Sequence, residues 1–435
     1  MHILKIIHGY PPYYNAGSEV YSQSICNELS KKHKVTVVTR EENPYLPDFH
    51  VRYEKSHENL QFFYVNMAQG KDGFRHKELD AAFAQILLKQ KPDIAHVGHL
   101  NHLSTGIIDV LNVHGIPIVF TLHDFWLMCP RGQFLQRNSC GTKVWELCDK
   151  QEDKKCATIC YSPYFTGIPE LEEQDIAYWT NWINARMKET KAIISKTDLF
   201  IAPSKYLLNR FVNEFHVPKD KIIYLDYGFP LHYLTPTIHK KSNEVFTFGY
   251  IGTHIPAKGV NLVIEAFNQL QLPAKLLIWG YKDEQSSNAL RQQAATNPNI
   301  EFKGKYINQN LADEVFSQID CIVVPSIWTE NSPLVIHEAQ ACRIPVITAN
   351  VGGMAEYVQD GVNGLLFEHR NVKSLLQKMQ YAVQNPNIMK QLGKRGYLYS
   401  EDGQVPDIQS HCRELEKIYE SLIEKKLCKS CLSGE

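Results

Sequence analysis

Two carboxylates eight residues apart, Glu330 and Glu338, stand in the stretch 325–366, PSIWTENSPLVIHEAQACRIPVITANVGGMAEYVQDGVNGLL. The β-branched run 321–324 just before it reads as a buried strand, with a loop carrying Glu330 at its end. Ser332 and Pro333 read as the N-cap and first position of a helix over 334–342, and 345–347 as the start of the next strand. Glu338 falls in that otherwise apolar helix, where burying a carboxylate is costly without a polar partner. Gly352 and Gly353 precede a second helix start at Met354. Two helix N-termini at the carboxyl ends of adjacent strands favour an anion, and carboxylates beside them suit hydroxyls. A phosphate and a polyol together point to a nucleotide sugar as ligand.

Such groups need alternating strands and helices to position them. Residues 2–8 read as a buried strand, 9–18 as a glycine-containing loop and 19–29 as a helix, the first half of a nucleotide-binding βα unit. A plain tight turn at Gly17 is the alternative. Strands follow at 35–40, 61–66, 93–97, 116–122, 198–203 and 221–227, with helices at 78–90, 103–113, 176–191 and 205–214. That alternation implies a parallel sheet covered by helices on both faces. The strand 116–122 delivers His123 and Asp124 to its carboxyl edge. Residues 229–244, with two prolines, a lysine pair and polar residues, read as a linker.

A second array opens with a strand at 245–252 and a glycine loop. Lys258 lies just before a helix at 260–270, where an ammonium and helix amides can share a phosphate; a solvated loop cation is the alternative. Strands at 275–280 and 300–305 and a helix at 311–318 lead to the opening stretch, and helices at 372–384, 388–397 and 408–426 close the chain. The expected division is a domain over 1–228, the linker, a domain over 245–400 and a C-terminal helix and tail over 401–435.

At 435 residues, two domains are the natural expectation. Hydrophobic content of 44% and charged content of 21% fit a globular chain, and a net charge of -1 gives no field that would suggest a nucleic-acid partner. Neither a signal peptide nor an apolar run of bilayer-spanning length is visible, so a cytoplasmic location is expected.

Residues 125–185 interrupt the alternation. Cys129, Cys140, Cys148, Cys156 and Cys160 fall within them, and only the last pair has common metal-ligand spacing. Structural zinc on four thiolates, disulfides and free thiols are the alternatives, and zinc would fold a segment that reads as too polar to fold by burial. Trp179, Trp182, Ile183 and Met187 follow at helical spacing, a stripe that reads as core more than membrane surface. Its place after His123 makes the insertion a candidate for shaping an acceptor site or docking on lipid.

The pattern E-x7-E at Glu330 and Glu338, followed by A-x-R-x-P-V-I-T-x-x-V-G-G-x-x-E, resembles the retaining nucleotide-sugar glycosyltransferases of family 4. The likeness is close over 246–367 and patchier before it. It implies the α/β GT-B fold: two Rossmann-like parallel-sheet domains facing a cleft, with a C-terminal helix crossing back to the first. It also implies transfer, with retention, of a sugar from a nucleoside-diphosphate sugar to a glycan, a lipid-linked or a small-molecule acceptor, with no cofactor required for catalysis. Surface polysaccharide or glycoconjugate synthesis is the expected setting, with peripheral association at the inner face of the membrane as a further expectation.

By the same resemblance, His123, Glu330 and Lys258 are the catalytic candidates. Gly17, Gly252, Thr253, Lys258, Gly280, Tyr306, Asn331, Ser332, Pro333, Leu334 and Glu338 are the donor-binding ones. Glu338 would hold the ribose hydroxyls, while Glu330 and His123 would meet the transferred sugar. The chain departs from the family in two places. One of two adjacent glycines is kept in Ala16-Gly17-Ser18-Glu19, and Thr253 stands where the family usually has arginine, which leaves Lys258 more of the phosphate charge. There is no Asp-x-Asp. A GT-B phosphorylase, a sugar-nucleotide epimerase and a non-catalytic GT-B scaffold subunit are the competing readings.

Overall fold

The computed structural model describes residues 1–67, 73–136, 145–166, 172–235 and 245–433. The chain divides into two compact units. The first is Met1–Val144, Cys148–Gly228 and Ile408–Glu435; the second is Trp145–Leu147 and Phe229–Asp407.

In the first unit eight strands, β1 (His2–Ile6), β2 (Lys34–Glu41), β3 (Val51–His57), β4 (Leu60–Asn66), β5 (Ile94–Val97), β6 (Ile118–Thr121), β7 (Leu199–Ala202) and β8 (Ile222–Tyr224), form one sheet. Their order is β3-β4-β2-β1-β5-β6-β7-β8. Strands β1, β5 and β6 are buried along their whole length, as central parallel strands covered on both faces must be. Aspartates just ahead of strands pin the register: Asp93 Oδ2 accepts from His2 N at 2.6 Å and Asp198 Oδ2 from Ile118 N at 2.8 Å.

The sheet departs from the purely parallel expectation at one edge. Strand β3 pairs antiparallel with β4. Its sequence, VRYEKSH, is mostly exposed and carries little apolar periodicity, so only its pairing with β4 makes it a strand.

The 125–185 segment also differs from expectation. It folds on buried aromatic and aliphatic side chains, among them Phe125, Trp126, Leu127, Met128, Phe134 and Tyr161. Arg186, itself buried, donates to the Trp126 carbonyl at 2.6 Å and lies over the Trp126 ring. The expected helix runs longer, Glu173–Lys196, with Trp179, Ile183 and Met187 buried. Burial, not polarity, therefore dominates the described part of this segment. The C-terminal helix Ile408–Ser433 is part of the first unit: Tyr419 and His411 bond there to His96 and Tyr21.

The second unit is a six-stranded, wholly parallel sheet of β9 (Phe246–Ile251), β10 (Ala274–Trp279), β11 (Ile300–Gly304), β12 (Cys321–Val324), β13 (Val346–Ala349) and β14 (Gly364–Phe367). The order is β11-β10-β9-β12-β13-β14. Successive strands run outward from β9 in one direction and from β12 in the other. The β9/β12 boundary is therefore the topological switch point, where loops at the carboxyl ends diverge and leave a crevice. The expected helix at 311–318 is broken into Leu311–Glu314 and a tighter turn, Phe316–Gln318. Of the expected linker, residues 236–244 lie outside the described residues.

Candidate donor site

The loops that flank the switch point carry the candidates. After β9 come Gly252, Thr253 and the turn Pro256–Lys258; after β12 come Ser326 to Leu334. Ile327 N donates to the Ala257 carbonyl at 3.0 Å, tying the two loops together. Gly259 allows this closeness: its φ is +68°, and a Cβ there would fall 1.9 Å from the Pro325 carbonyl oxygen. A second glycine holds the far side. A Cβ on Gly353 would fall 1.3 Å from the Asn331 oxygen, and Gly353 N donates to the Glu330 carbonyl at 2.7 Å.

That scaffold sets Lys258 against Glu330. Lys258 Nζ donates to Glu330 Oε1 at 2.6 Å, and Ser326 Oγ donates to the same oxygen at 2.6 Å. The Glu330 side chain is 8% exposed and the Lys258 side chain 32%, so a buried carboxylate is offset by an ammonium that reaches solvent. The Trp328 ring lies 5.6 Å from the ammonium. The charge of Lys258 is thus shared with Glu330. Ser326 and Trp328 are site residues that the sequence pattern does not single out.

Glu338 sits on the helix Leu334–Ala341, half-buried. Burial pushes its carboxyl up to about 7, with His337 opposing the shift slightly. Tyr306, after β11, lies close enough to Glu338 for the carboxylate to raise its hydroxyl pKa further, after burial. Gly280, after β10, donates its N–H to the Gly304 carbonyl at 2.8 Å. The second unit thus brings Lys258, Glu330, Glu338, Tyr306, Gly252 and Gly280 to one edge of its sheet.

Two details of the helix starts differ from expectation. Pro333, with ψ at 118°, is the N-cap and Leu334 the first helical residue, one position later than the Ser332–Pro333 reading. The helix at Met354–Tyr357 is a single turn, and the amide of Gly353 is already bonded to Glu330. Of these two starts, Leu334 is the one that offers a dipole of any length.

In the first unit, His123 follows β6. Its Nδ1 is 2.7 Å from the Tyr227 hydroxyl, and its ring packs against those of Tyr227 and Tyr21. Asp124 turns elsewhere: it accepts from Trp126 N and lies 3.3 Å from His99 Nε2. Gly17 is the exposed first residue of the helix Gly17–Leu29. Beside it Glu19 is buried and meets His8 Nε2 at 3.2 Å. Burial would raise this carboxyl, but hydrogen bonds from His8 and Ser18 bring it down to about 2.

The thiol of Cys156 is raised to about 12, chiefly by burial, with Cys129, Cys160 and Cys148 adding to the shift. Among the described residues no group of three or more His, Cys, Asp or Glu side chains is arranged to hold a metal ion. Cys140 lies outside the described residues. Among the described residues, too, no helix is long and apolar enough to cross a membrane.

Comparison with known proteins bears on both units. Residues 16–231 match the family model "Glycosyltransferase Family 4" and residues 235–399 match "Glycosyl transferases group 1". An uncharacterized glycosyltransferase of Methanocaldococcus jannaschii is 33% identical over 160 residues, covering 36% of this chain and 44% of the relative. The capsular polysaccharide biosynthesis glycosyltransferase CapM of Staphylococcus aureus is 25% identical over 257 residues, 55% of this chain and 65% of the relative. The chain thus spans about half to two thirds of these relatives. The structure of Anabaena HepE in complex with UDP-glucose superposes with a TM-score of 0.64 at 15% identity, over 97% of this chain and 100% of that one, which shows the shared fold. With both units matched by family models and the fold shared, the chain belongs to the GT-B glycosyltransferases of family 4.

Proposed function

We propose that the chain moves a sugar from a nucleoside-diphosphate sugar to a hydroxyl of a glycan, glycolipid or small-molecule acceptor, with retention of anomeric configuration. The observation that carries this reading is the Lys258–Glu330–Ser326 cluster at the switch point of the second unit, with Glu338 on the helix that follows. Departure of a nucleoside diphosphate builds negative charge on its phosphate oxygens, and catalysis calls for positive groups already in place. Lys258 and the amides at the Leu334 helix start supply these. As the diphosphate arrives, the ammonium is shared between phosphate and Glu330. Glu330, still held by Ser326, accepts hydrogen bonds from hydroxyls of the transferred sugar. Glu338 accepts from the ribose, a role that needs its ionised form.

The bond from the anomeric carbon to the phosphate oxygen breaks on the face where the acceptor oxygen bonds. The acceptor proton passes to the departing phosphate. His123 contacts the transferred sugar, and Gly17 approaches the diphosphate or the acceptor. The CapM relative belongs to capsular polysaccharide biosynthesis, which favours a surface-glycan acceptor here as well. Peripheral contact with a membrane surface belongs to the same reading.

The test is turnover. Nucleoside diphosphate release from a panel of nucleotide sugars should depend on acceptor, with product anomers retaining the donor configuration by NMR coupling constants. Glu330→Ala and Lys258→Ala should each abolish it. Phosphate-dependent release of sugar phosphate, or conversion of the nucleotide sugar alone, would replace this reading with a phosphorylase or an epimerase.

A further inference from the structure

A lysine stands in a strand of the first unit that is buried along its whole length. Lys5 belongs to β1, is 1% exposed, and its Nζ has no hydrogen-bond partner among the described residues. A leucine or methionine would fill that position without the cost of desolvating an ammonium. Its surroundings show what the charge faces. Gly98, just after β5, has no side chain, and the place its Cβ would occupy is 3.1 Å from Lys5 Nζ and 3.4 Å from His123 Nε2. Ile7 Cδ1 is 2.9 Å from the same point, so the glycine leaves the space where this methyl group, the ammonium and the imidazole converge. Tyr21 flanks the lysine, its ring centroid 6.0 Å from Nζ, and also packs edge-on against His123. On the other side of the imidazole, Nδ1 is engaged by Tyr227.

We propose that Lys5 is a positioning residue for His123: its buried ammonium, close to the imidazole beside Gly98, holds His123 in the uncharged form in which it meets the sugar. The inference rests on the reading of His123 as a sugar contact. A neutral imidazole suits that role, because positive charge develops on the sugar as the leaving group departs and an imidazolium would oppose it.

Most other groups around His123 act in the same direction or are neutral. His8 and His99 approach from the loops after β1 and β5, and His96 and His411 from β5 and the C-terminal helix. Tyr21 and Tyr227 are phenols pushed well above their usual range by burial. Two acids lie near. Asp124 is turned to His99 and the Trp126 amide, and Asp226 accepts from the Tyr227 amide. Burial, then Lys5, then His99 and His8 drive the His123 pKa well below its usual value. Lys5 itself is lowered to about 8, chiefly by burial, so it remains mostly charged at neutral pH.

The test is an NMR pH titration of isotope-labelled histidines in the full chain, with His123 assigned from His123→Asn. Two substitutions remove the charge: Lys5→Met and Lys5→Leu. In each, the His123 midpoint should rise relative to the native chain. With donor and acceptor, Lys5→Met should lose kcat progressively as pH falls below about 6, where the native chain keeps its rate, and should match the native rate at neutral pH and above, with KM for the donor unchanged. A His123 midpoint that stays at the native value in the folded variants overturns the proposal, as does a kcat loss of the same size at every pH. If the midpoint rises but the native chain transfers no sugar, the electrostatic coupling stands and the glycosyltransfer reading fails.

Discussion

Replacing Glu338 with glutamine should make the protein more stable and worse at binding nucleotide, each with its own pH dependence. The carboxyl rises from 4.5 to about 7 because burial disfavours its charge. At 1.36 kcal/mol per unit, a shift of that size corresponds to about 3 kcal/mol of differential protonation. Glu338 is only half-buried, and solvent screening reduces this to about 1–2 kcal/mol. The sign follows from proton counting. Between pH 4.5 and 7 the folded state holds a proton that the unfolded state has lost, so stability falls as pH rises through that window and levels off above it. Glu338→Gln removes the penalty. Urea unfolding followed at several pH values should find the variant equal to native below about pH 4.5 and more stable by about 1–2 kcal/mol at pH 8. In calorimetric titrations the native chain should gain nucleotide affinity as pH rises through 7, and the variant should bind weakly and without that dependence. A stability difference that is constant across pH, or donor binding that is indifferent to the substitution, would refute the assignment of Glu338.

Other substitutions test the rest of the scaffold. Lys258→Ala strands the buried Glu330 carboxylate; stability should fall by about 1–2 kcal/mol, since the ammonium is a third exposed, and nucleoside diphosphate affinity by about 10- to 100-fold, read by unfolding and calorimetry. Gly353→Ala should cost about 2 kcal/mol or more in thermal unfolding, because a methyl group cannot sit 1.3 Å from the Asn331 oxygen without displacing the loop that holds Glu330. Lys5→Met should be up to about 3 kcal/mol more stable than native below pH 8, with the gap closing between pH 8 and 10.5 as the native lysine loses its proton more readily folded than unfolded.

The second unit was legible wherever chemistry and apolar pattern coincided. Cys321–Val324, the loop with Glu330 and the helix with Glu338 all stand where the residues imply, because a buried strand and a short apolar helix leave few other arrangements. What sequence could not show was the pairing of Lys258 with Glu330, 72 positions apart, since loops set that distance and not spacing. The helix Glu284–Ala294 has a sequence, EQSSNALRQQA, too polar to show an apolar stripe, and β14 has only four residues. Strand β3 escaped for a similar reason, as an exposed edge. In the insertion Phe125, Trp126 and Tyr161 form the buried core, yet they follow no helix or strand period that would mark them as core in the sequence. Lys5 left a visible signal, a single charge within HILKI, yet its meaning depends on Gly98 and His123, which only the fold brings near.

The crevice between β9 and β12 is the proposed seat of a nucleoside diphosphate. Titrating a panel of nucleoside diphosphates into the native chain and into Lys258→Ala by calorimetry tests it most directly. The expected result is saturable one-site binding of at least one of them to the native chain, weakened by 10- to 100-fold in the variant. No binding across the panel, or equal binding by both proteins, would contradict it.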